Sequence, residues 1–341
     1  MDNHREKILI SNTIKRFILI FIDVLFSWFI WQVNIWLGIP CNSVAFTRCF
    51  VLSVTTFLIV YTPFEIYWSI RDLWYDRWLG LSLNDIEEKE IKINVLKGFL
   101  AGTIINHKNK EKIKSRNSII IVCHGFSDTK EALQYYYYPL AFQGYVILVY
   151  DARGTGKSKN TGKRGNFLKR IEDFNKVIEW VKSNRDYSTL RINCIGFSIG
   201  ALTILCAGFQ NMDIEKIIAI SSMSCYKKNL PKFNLIVTLS YLMKGVKLFP
   251  TDEENKRLSP YLNIKNAKNN LSPEEWDRCS QRVMLIHSKN DRVIRFFNFK
   301  ENSIALESPK ENLLILKKGG HSQKKNECIL VGATLNFLHS E

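Results

Sequence analysis

The chain predicts an α/β fold: a mainly parallel sheet covered by helices, with a cap insert, preceded by a transmembrane helical hairpin. Three observations carry this expectation. From about residue 90, apolar runs of strand length alternate with helical stretches. One strand–turn–helix junction holds the pentapeptide Gly196-Phe197-Ser198-Ile199-Gly200. Two long hydrophobic runs stand near the N-terminus. Alternating strands and helices are the pattern of a parallel sheet, because each parallel crossover needs a helix to cover a sheet face.

Length and charge set the frame. At 341 residues there is room for one large domain and an appendage. The order predicted is a basic N-terminus at 1–16, two hydrophobic segments at 17–70, a polar and aromatic connector at 71–89 and the α/β domain at 90–341, with the cap insert at about 222–280. The net charge of +16 suits a solvated basic surface, nucleic acid or an anionic membrane. No nucleic-acid fold signature is present, and the hydrophobic N-terminus favours the membrane. The 8 cysteines form no C-x-x-C pair and no cluster at metal spacing.

Residues 17–37 and 49–68 are each about long enough to span a bilayer, for which roughly 20 apolar residues suffice. The link between them is short. Asp23, Ser27 and Asn34 fall at helical spacing and are placed to face Ser53, Thr55 or Thr56. Arg5, Lys7, Lys15 and Arg16 precede the first run, only Arg48 lies in the link, and Arg71, Arg77 and Lys89 follow the second. Basic residues stay inside, so a hairpin puts both termini and the α/β domain in the cytoplasm. A cleaved signal peptide fits poorly, since no A-x-A-like site follows the first run. A single span, which would put the domain outside, and an interfacial anchor remain as alternatives.

The domain opens with a hairpin at 91–96 and 99–107. Buried strands are expected at 118–123, 145–150, 190–195, 215–221, 281–287 and 312–316, and helices at 131–143, 169–183, 201–209, 297–306 and 323–338. The tyrosines at 135–138 read as helix packing.

The pentapeptide gives the chemistry its centre. Gly196 and Gly200 allow a turn too tight for neighbouring side chains, and the strained Ser198 is lifted above the sheet edge at a helix N-terminus. Acyl transfer needs two donors aimed at the oxyanion. The backbone N–H of Ile199 is one, and Phe126, in the loop His124-Gly125-Phe126-Ser127-Asp128 after an earlier strand, is placed to give the other. His124 reads as a structural residue pinning that loop. The segment Asp151-Ala152-Arg153-Gly154-Thr155-Gly156-Lys157-Ser158 lacks phosphate-loop spacing and reads as a loop held by Asp151 and Arg153. Asp291 follows a late strand, where its alternative is to cap a turn, and His287 before it reads as structural. Gly319-Gly320-His321 follows the last strand and lets a loop carry the imidazole to the serine. Ser198, Asp291 and His321 thus stand in the order nucleophile, acid, base, with Asp291 holding the His321 tautomer.

Together these motifs resemble the α/β-hydrolase superfamily over roughly residues 90–341. The D-x-R-G-x-G-x-S loop and His-Gly-Phe start are most similar to the monoacylglycerol lipase and serine aminopeptidase-like branch. Ser288 departs from the glycine usual after the strand histidine. The resemblance implies hydrolysis of an ester, thioester or amide without metal or organic cofactor. The nearly apolar stretch 233–243, flanked by Lys227, Lys228, Lys244 and Lys247, reads as a cap helix over the pocket, or more sharply as a lid whose apolar face meets lipid. The expectation is therefore a membrane-attached serine hydrolase acting on a small acyl ester or lipid-like substrate, with no nucleic acid as partner. A serine peptidase is the alternative within catalysis, though no site for a substrate amine is evident. A non-catalytic binding protein on the same fold is the alternative outside it.

Overall fold

The computed structural model describes residues 2–36, 47, 50–51, 54–55, 57–59, 61–66, 84–108, 115–231 and 235–340. The chain forms two compact units, Met1–Leu81 and Ser82–Glu341.

In the first unit, α1 (Asp2–Trp36) contains an apolar stretch, Arg16–Val33, with none of its residues buried. At 1.5 Å per residue these 18 residues reach about 27 Å, close to the hydrocarbon thickness of a bilayer. The second run is helical over α2 (Phe57–Ile66), and Thr47, Phe50, Val51, Val54 and Thr55 before it are helical as well. Among the described residues one helix, α1, has spanning length and composition, so the expected hairpin of two spanning helices is not supported. At the end of α2, Glu65 interrupts the apolar run and accepts from Arg16 Nε at 3.0 Å and from the Tyr61 hydroxyl at 2.9 Å. The link at 37–46, Ser53 and Thr56 lie outside the described residues. Thr55 donates to the Val51 carbonyl of its own helix at 2.7 Å rather than across to α1.

The second unit is built on an eight-stranded sheet. The strands are β1 (Ile86–Val95), β2 (Gly98–His107), β3 (Ser118–Cys123), β4 (Val146–Tyr150), β5 (Arg191–Phe197), β6 (Ile214–Ile220), β7 (Val283–Ser288) and β8 (Leu313–Leu316). Their order is β1-β2-β4-β3-β5-β6-β7-β8. β1 pairs antiparallel with β2, and β2 with β4; every later pairing is parallel. The continuous apolar runs have their cause here: all six residues of β3 and of β7 are buried, since helices cover both faces of a parallel sheet.

Helices α3 (Gln134–Phe142), α4 (Phe167–Ser183), α5 (Ile199–Gly208), α10 (Phe297–Leu306) and α11 (Glu327–His339) cover the sheet. Tyr135 to Tyr138 are all buried, with Tyr136 edge-on to Phe197 at 5.4 Å. Four helices lie between β6 and β7: α6 (Leu235–Met243), α7 (Asp252–Arg257), α8 (Pro260–Asn270) and α9 (Pro273–Gln281). Of these, α6 meets the site end, where Tyr241 lies 5.7 Å from the Phe126 ring. Ile264 and Ala267 of α8 and Trp276 and Cys279 of α9 join the main core, so residues 260–281 belong to the layer covering the sheet.

Most element boundaries differ from the sequence expectation by a few residues, and three of the differences are instructive. β1 begins at Ile86. α9, opened by a Ser272–Glu275 capping box, runs through Gln281, so β7 starts at Val283. α11 starts at Glu327 rather than 323, because Gln323 and Lys325 take left-handed backbone (φ 54° and 64°) that no helix continues.

Candidate active site

The site is assembled at the carboxyl ends of β3, β5, β6, β7 and β8. β5 delivers Ser198 at φ 55° and ψ −114°, a conformation costing about 1–3 kcal/mol that the surrounding backbone must impose. Two glycines make it possible. A Cβ on Gly196 would stand 2.6 Å from the Ala201 nitrogen, and one on Gly200 would strike the Cys123 carbonyl at the end of β3. The Ser198 N–H continues the sheet by donating to the Ile220 carbonyl at 2.9 Å, and its own carbonyl accepts the first bond of α5, from Leu202, at 3.0 Å. Turn, strand pairing and helix start are thus fixed on one residue.

The loop after β3 is pinned as the sequence suggested. The Ala152 N–H donates to His124 Nε2 at 2.9 Å, so Nδ1 carries the proton and donates to the Gly125 carbonyl at 2.7 Å. Burial drives the His124 pKa down to about 3, helped by the nearby Arg170 charge, and the ring stays neutral. Among the described residues neither the Phe126 nor the Ile199 N–H donates to a backbone acceptor. Both are thus free of backbone partners, as the expected role of oxyanion donors requires.

The D-x-R-G segment is a staple. Asp151 accepts from the Lys130 and Lys157 N–H groups at 3.0 and 2.8 Å. Arg153 grips both oxygens of Asp173 at 2.8 and 2.5 Å, and Ser158 accepts from the Ala101 N–H at 2.9 Å. No phosphate is needed to explain any of these groups.

Asp291 and His321, 30 residues apart, are brought together: His321 Nδ1–H donates to Asp291 Oδ2 at 2.8 Å. The other oxygen of Asp291 accepts from the Val293 and Ile294 N–H groups at 2.8 and 2.9 Å, so the turn-capping role and the histidine-holding role coexist in one carboxylate. Burial pushes the Asp291 carboxyl up, but the His321 bond and charge and the two N–H groups outweigh it, leaving the pKa below the usual range. With Nδ1 committed, Nε2 of His321 is the free base. His321 is about one quarter exposed. No hydrogen bond joins Ser198 to His321, a common state of unliganded sites. His287 donates from Nε2 to the Ile294 carbonyl at 2.8 Å and packs against Phe296 and Phe299.

Four further residues escaped the sequence reading. Asn290 Oδ1 accepts from the Gly320 N–H at 2.9 Å and from the buried Ser288 hydroxyl at 2.7 Å, which gives the unusual serine its purpose. Gln323 Nε2 donates to Ser221 Oγ at 2.7 Å, and Ser221 Oγ donates to the His321 carbonyl at 3.4 Å. Asp128 shares a face of Gly125 with the nucleophile: a Cβ built there would lie 2.6 Å from Asp128 Oδ2 and 3.7 Å from Ser198 Cβ. The only advance signal was the acid in His124-Gly125-Phe126-Ser127-Asp128.

An apolar cluster surrounds these groups. Ile199, Leu202, Met223, Tyr226, Val246 and Ile294 pack together, with Phe126 against them. Phe126 meets Phe167 at 5.4 Å and Tyr241 of α6 at 5.7 Å, and Lys244 Nζ lies 5.5 Å from its ring. The cap helix therefore rests directly on the candidate oxyanion loop. Leu239, Leu242 and Met243 face outward, exposed by 56%, 50% and 78%. The flanking bases are largely engaged, Lys228 with Glu301 at 2.6 Å, Lys227 with Asp252 at 3.5 Å and Lys247 with Glu254.

Comparison with known proteins agrees with the fold. The family model described as "Serine aminopeptidase, S33" matches residues 114–270, which include Phe126, Ser198 and Ile199 but stop before Asp291 and His321. No curated protein sequence matches the chain. Among solved structures, acylaminoacyl peptidase from Pyrococcus horikoshii is similar at 20% identity and TM-score 0.54, covering 74% of this chain and 40% of its own. An esterase from Pyrococcus furiosus is similar at 20% identity and TM-score 0.52, covering 76% of this chain and 94% of its own. A Xanthomonas campestris protein described as a serine hydrolase without lid is similar at 15% identity and TM-score 0.50, covering 74% and 94%. The chain thus spans about two fifths of the peptidase's length. At such identities the likeness speaks for the fold.

Proposed function

We propose that this chain, of the α/β-hydrolase superfamily, is a membrane-attached serine hydrolase that cleaves acyl esters of lipid-like substrates. The observation that carries it is the 2.8 Å bond from His321 Nδ1 to Asp291, which leaves Nε2 free, in a fold whose elbow holds Ser198 at positive φ. His321 removes the Ser198 proton as the hydroxyl attacks the acyl carbonyl. The Phe126 and Ile199 N–H groups receive the oxyanion. His321 then protonates the leaving alcohol, and water releases the acyl group by the same steps reversed. Asp291 stabilises the imidazolium without taking its proton.

The lipid preference is supported by the apolar cluster around Ile199 and Phe126 and by the outward leucines of α6. Because Lys227, Lys228 and Lys247 are ion-paired, apolar contact rather than charge is the main attraction of the cap for a membrane. Attachment is assigned to α1. The basic residues that precede its apolar stretch support an anchor lying on the cytoplasmic face and a cytoplasmic catalytic domain.

A second reading, peptide hydrolysis, is favoured by Asp128: a carboxylate beside the nucleophile suits a substrate ammonium. One set of measurements tests both readings. The detergent-solubilised full chain should be labelled by a fluorophosphonate probe, and Ser198→Ala should abolish labelling. Acylglycerols and lysophospholipids should then be cleaved faster than aminoacyl amides; the reverse order would establish the peptidase. A folded wild type that is not labelled would defeat the hydrolase reading. Protease added outside sealed vesicles of cytoplasm-out orientation should digest the C-terminus, and protection would reverse the topology.

A further inference from the structure

Arg170 lies on α4 and is 3% exposed, yet its guanidinium donates no hydrogen bond to any described group; Nε and Nη2 are buried and unpartnered. Such a cation is expensive to keep, and folds retain such violations chiefly at functional sites. The carboxylate one turn along, Asp173, has both oxygens committed to Arg153. The other charged groups facing Arg170 are Arg164 and Asp128, with the neutral Tyr150 hydroxyl and Cys123 thiol beside it. Burial lowers the Arg170 pKa to about 10, so it is charged at neutral pH.

Its position gives the charge a use. Arg170 borders a cavity of about 10 Å³ walled also by Cys123, His124, Tyr150, Gly200 and Thr203. That cavity is the underside of the two turns that carry the candidate oxyanion donors: Cys123 and His124 lead to Phe126, and Gly200 follows Ile199. Phe167 forms a second bridge, its ring 5.8 Å from the Arg170 guanidinium carbon and 5.4 Å from the Phe126 ring. Asp128 also meets the Gly125 loop, beside Ser198 and within the field of Arg170; burial pushes its carboxyl pKa up, and the His321 and Arg170 charges oppose that rise. A carboxylate there opposes the negative charge that acyl transfer builds.

We propose that Arg170 is an electrostatic positioning residue whose unpaired charge, set behind residues 123–126, offsets Asp128 and stabilises the oxyanion formed in front of that loop. The proposal rests on the serine-hydrolase reading. A cation that lacks a bonded counter-charge at rest and gains one in the transition state lowers the barrier, because it interacts more strongly with the transition state than with the ground state. Arg170 makes no contact with substrate and forms no bond.

The test uses the full chain in detergent and four variants: Arg170→Met, Arg170→Lys, Asp128→Asn and the double Arg170→Met/Asp128→Asn. A neutral p-nitrophenyl ester gives kcat and KM, phenylboronic acid gives the affinity for an anionic tetrahedral adduct, and thermal unfolding reports the fold. Arg170→Met is expected to lower kcat at least tenfold with KM within twofold, to weaken phenylboronic acid in proportion, and to leave Tm unchanged or higher. Arg170→Lys should restore most of the rate, and Asp128→Asn should recover part of it in the double variant. Unchanged kcat in Arg170→Met overturns the proposal. So does a joint fall of kcat and Tm that neither Arg170→Lys nor Asp128→Asn relieves, since that is the signature of packing alone. A wild type with no Ser198-dependent hydrolysis overturns the hydrolase reading, and Arg170's role with it; an active wild type matched by Arg170→Met overturns the role of Arg170 alone.

Discussion

His321 is held at three points, and only Asp291 belonged to a motif visible in advance. Asn290 fixes the Gly320 N–H while taking up the buried Ser288 hydroxyl, and Gln323 reaches the His321 carbonyl through Ser221. Asn290→Ala strands the Ser288 hydroxyl, a loss of about 1–3 kcal/mol, and frees the loop. We expect a Tm lowered by several degrees and kcat reduced at least tenfold, measured on one ester substrate. His124 carries a different signature. Burial holds its pKa near 3, below the ordinary 6.5, so the unfolded chain binds the proton first as pH falls. The stability tied to this residue is complete above about pH 6.5 and declines below it, by about 2 kcal/mol between pH 6.5 and pH 5. Denaturant midpoints at pH 7 and pH 5 should therefore separate more for the wild type than for His124→Gln; equal separations would refute the assignment. Ser198, Asp291 and His321 were legible because each sits in a local chain pattern. Asn290, Ser221, Gln323, Asp128 and Arg170 were not, because their significance lies in partners brought together by the fold: Gln323 and Ser221 are 102 residues apart.

At the scale of elements, the strands were readable because burial on both faces forces unbroken apolar runs. Boundaries were less readable where the decisive contact is distant. Nothing local shows that Arg282 will donate to the Ile214 carbonyl at 2.6 Å and so end α9 at the edge of β7. The same limit applies to the insert, since α8 and α9 look like cap in sequence and are core in space. The β5–α5 junction is the element most sensitive to a single atom. Gly200→Ala would drive a methyl group into the Cys123 carbonyl, and neither the strand nor the helix can retreat without breaking the sheet. We expect Tm to fall by 10 °C or more, or the variant not to accumulate, as judged by thermal unfolding and soluble yield.

At the scale of the molecule, the two units allow a division of labour. The sheet, the cap and all five candidate site residues lie within Ser82–Glu341. A chain beginning at Ser82 is expected to fold, to leave the membrane fraction and to hydrolyse a short-chain ester with kcat within threefold of the full chain. Hydrolysis of a vesicle-bound lipid should drop much further, since α1 would no longer concentrate the enzyme at the surface. Equal loss on both substrates would show instead that the N-terminal unit is needed for the fold itself. The hydrophobic runs were legible through composition; a polar contact such as Arg16–Glu65, between residues 49 apart, was not.

The proton between His321 and Asp291 offers a magnetic signature of the site. It is held in a short, charge-assisted bond to a carboxylate with no exposed side-chain surface, so its exchange with solvent is slowed and its nucleus strongly deshielded. A proton NMR spectrum should carry one resonance far downfield of the amides, absent in His321→Gln and shifted upfield in Asp291→Asn. That single line would report the state of the histidine in the living fold, before any substrate is known.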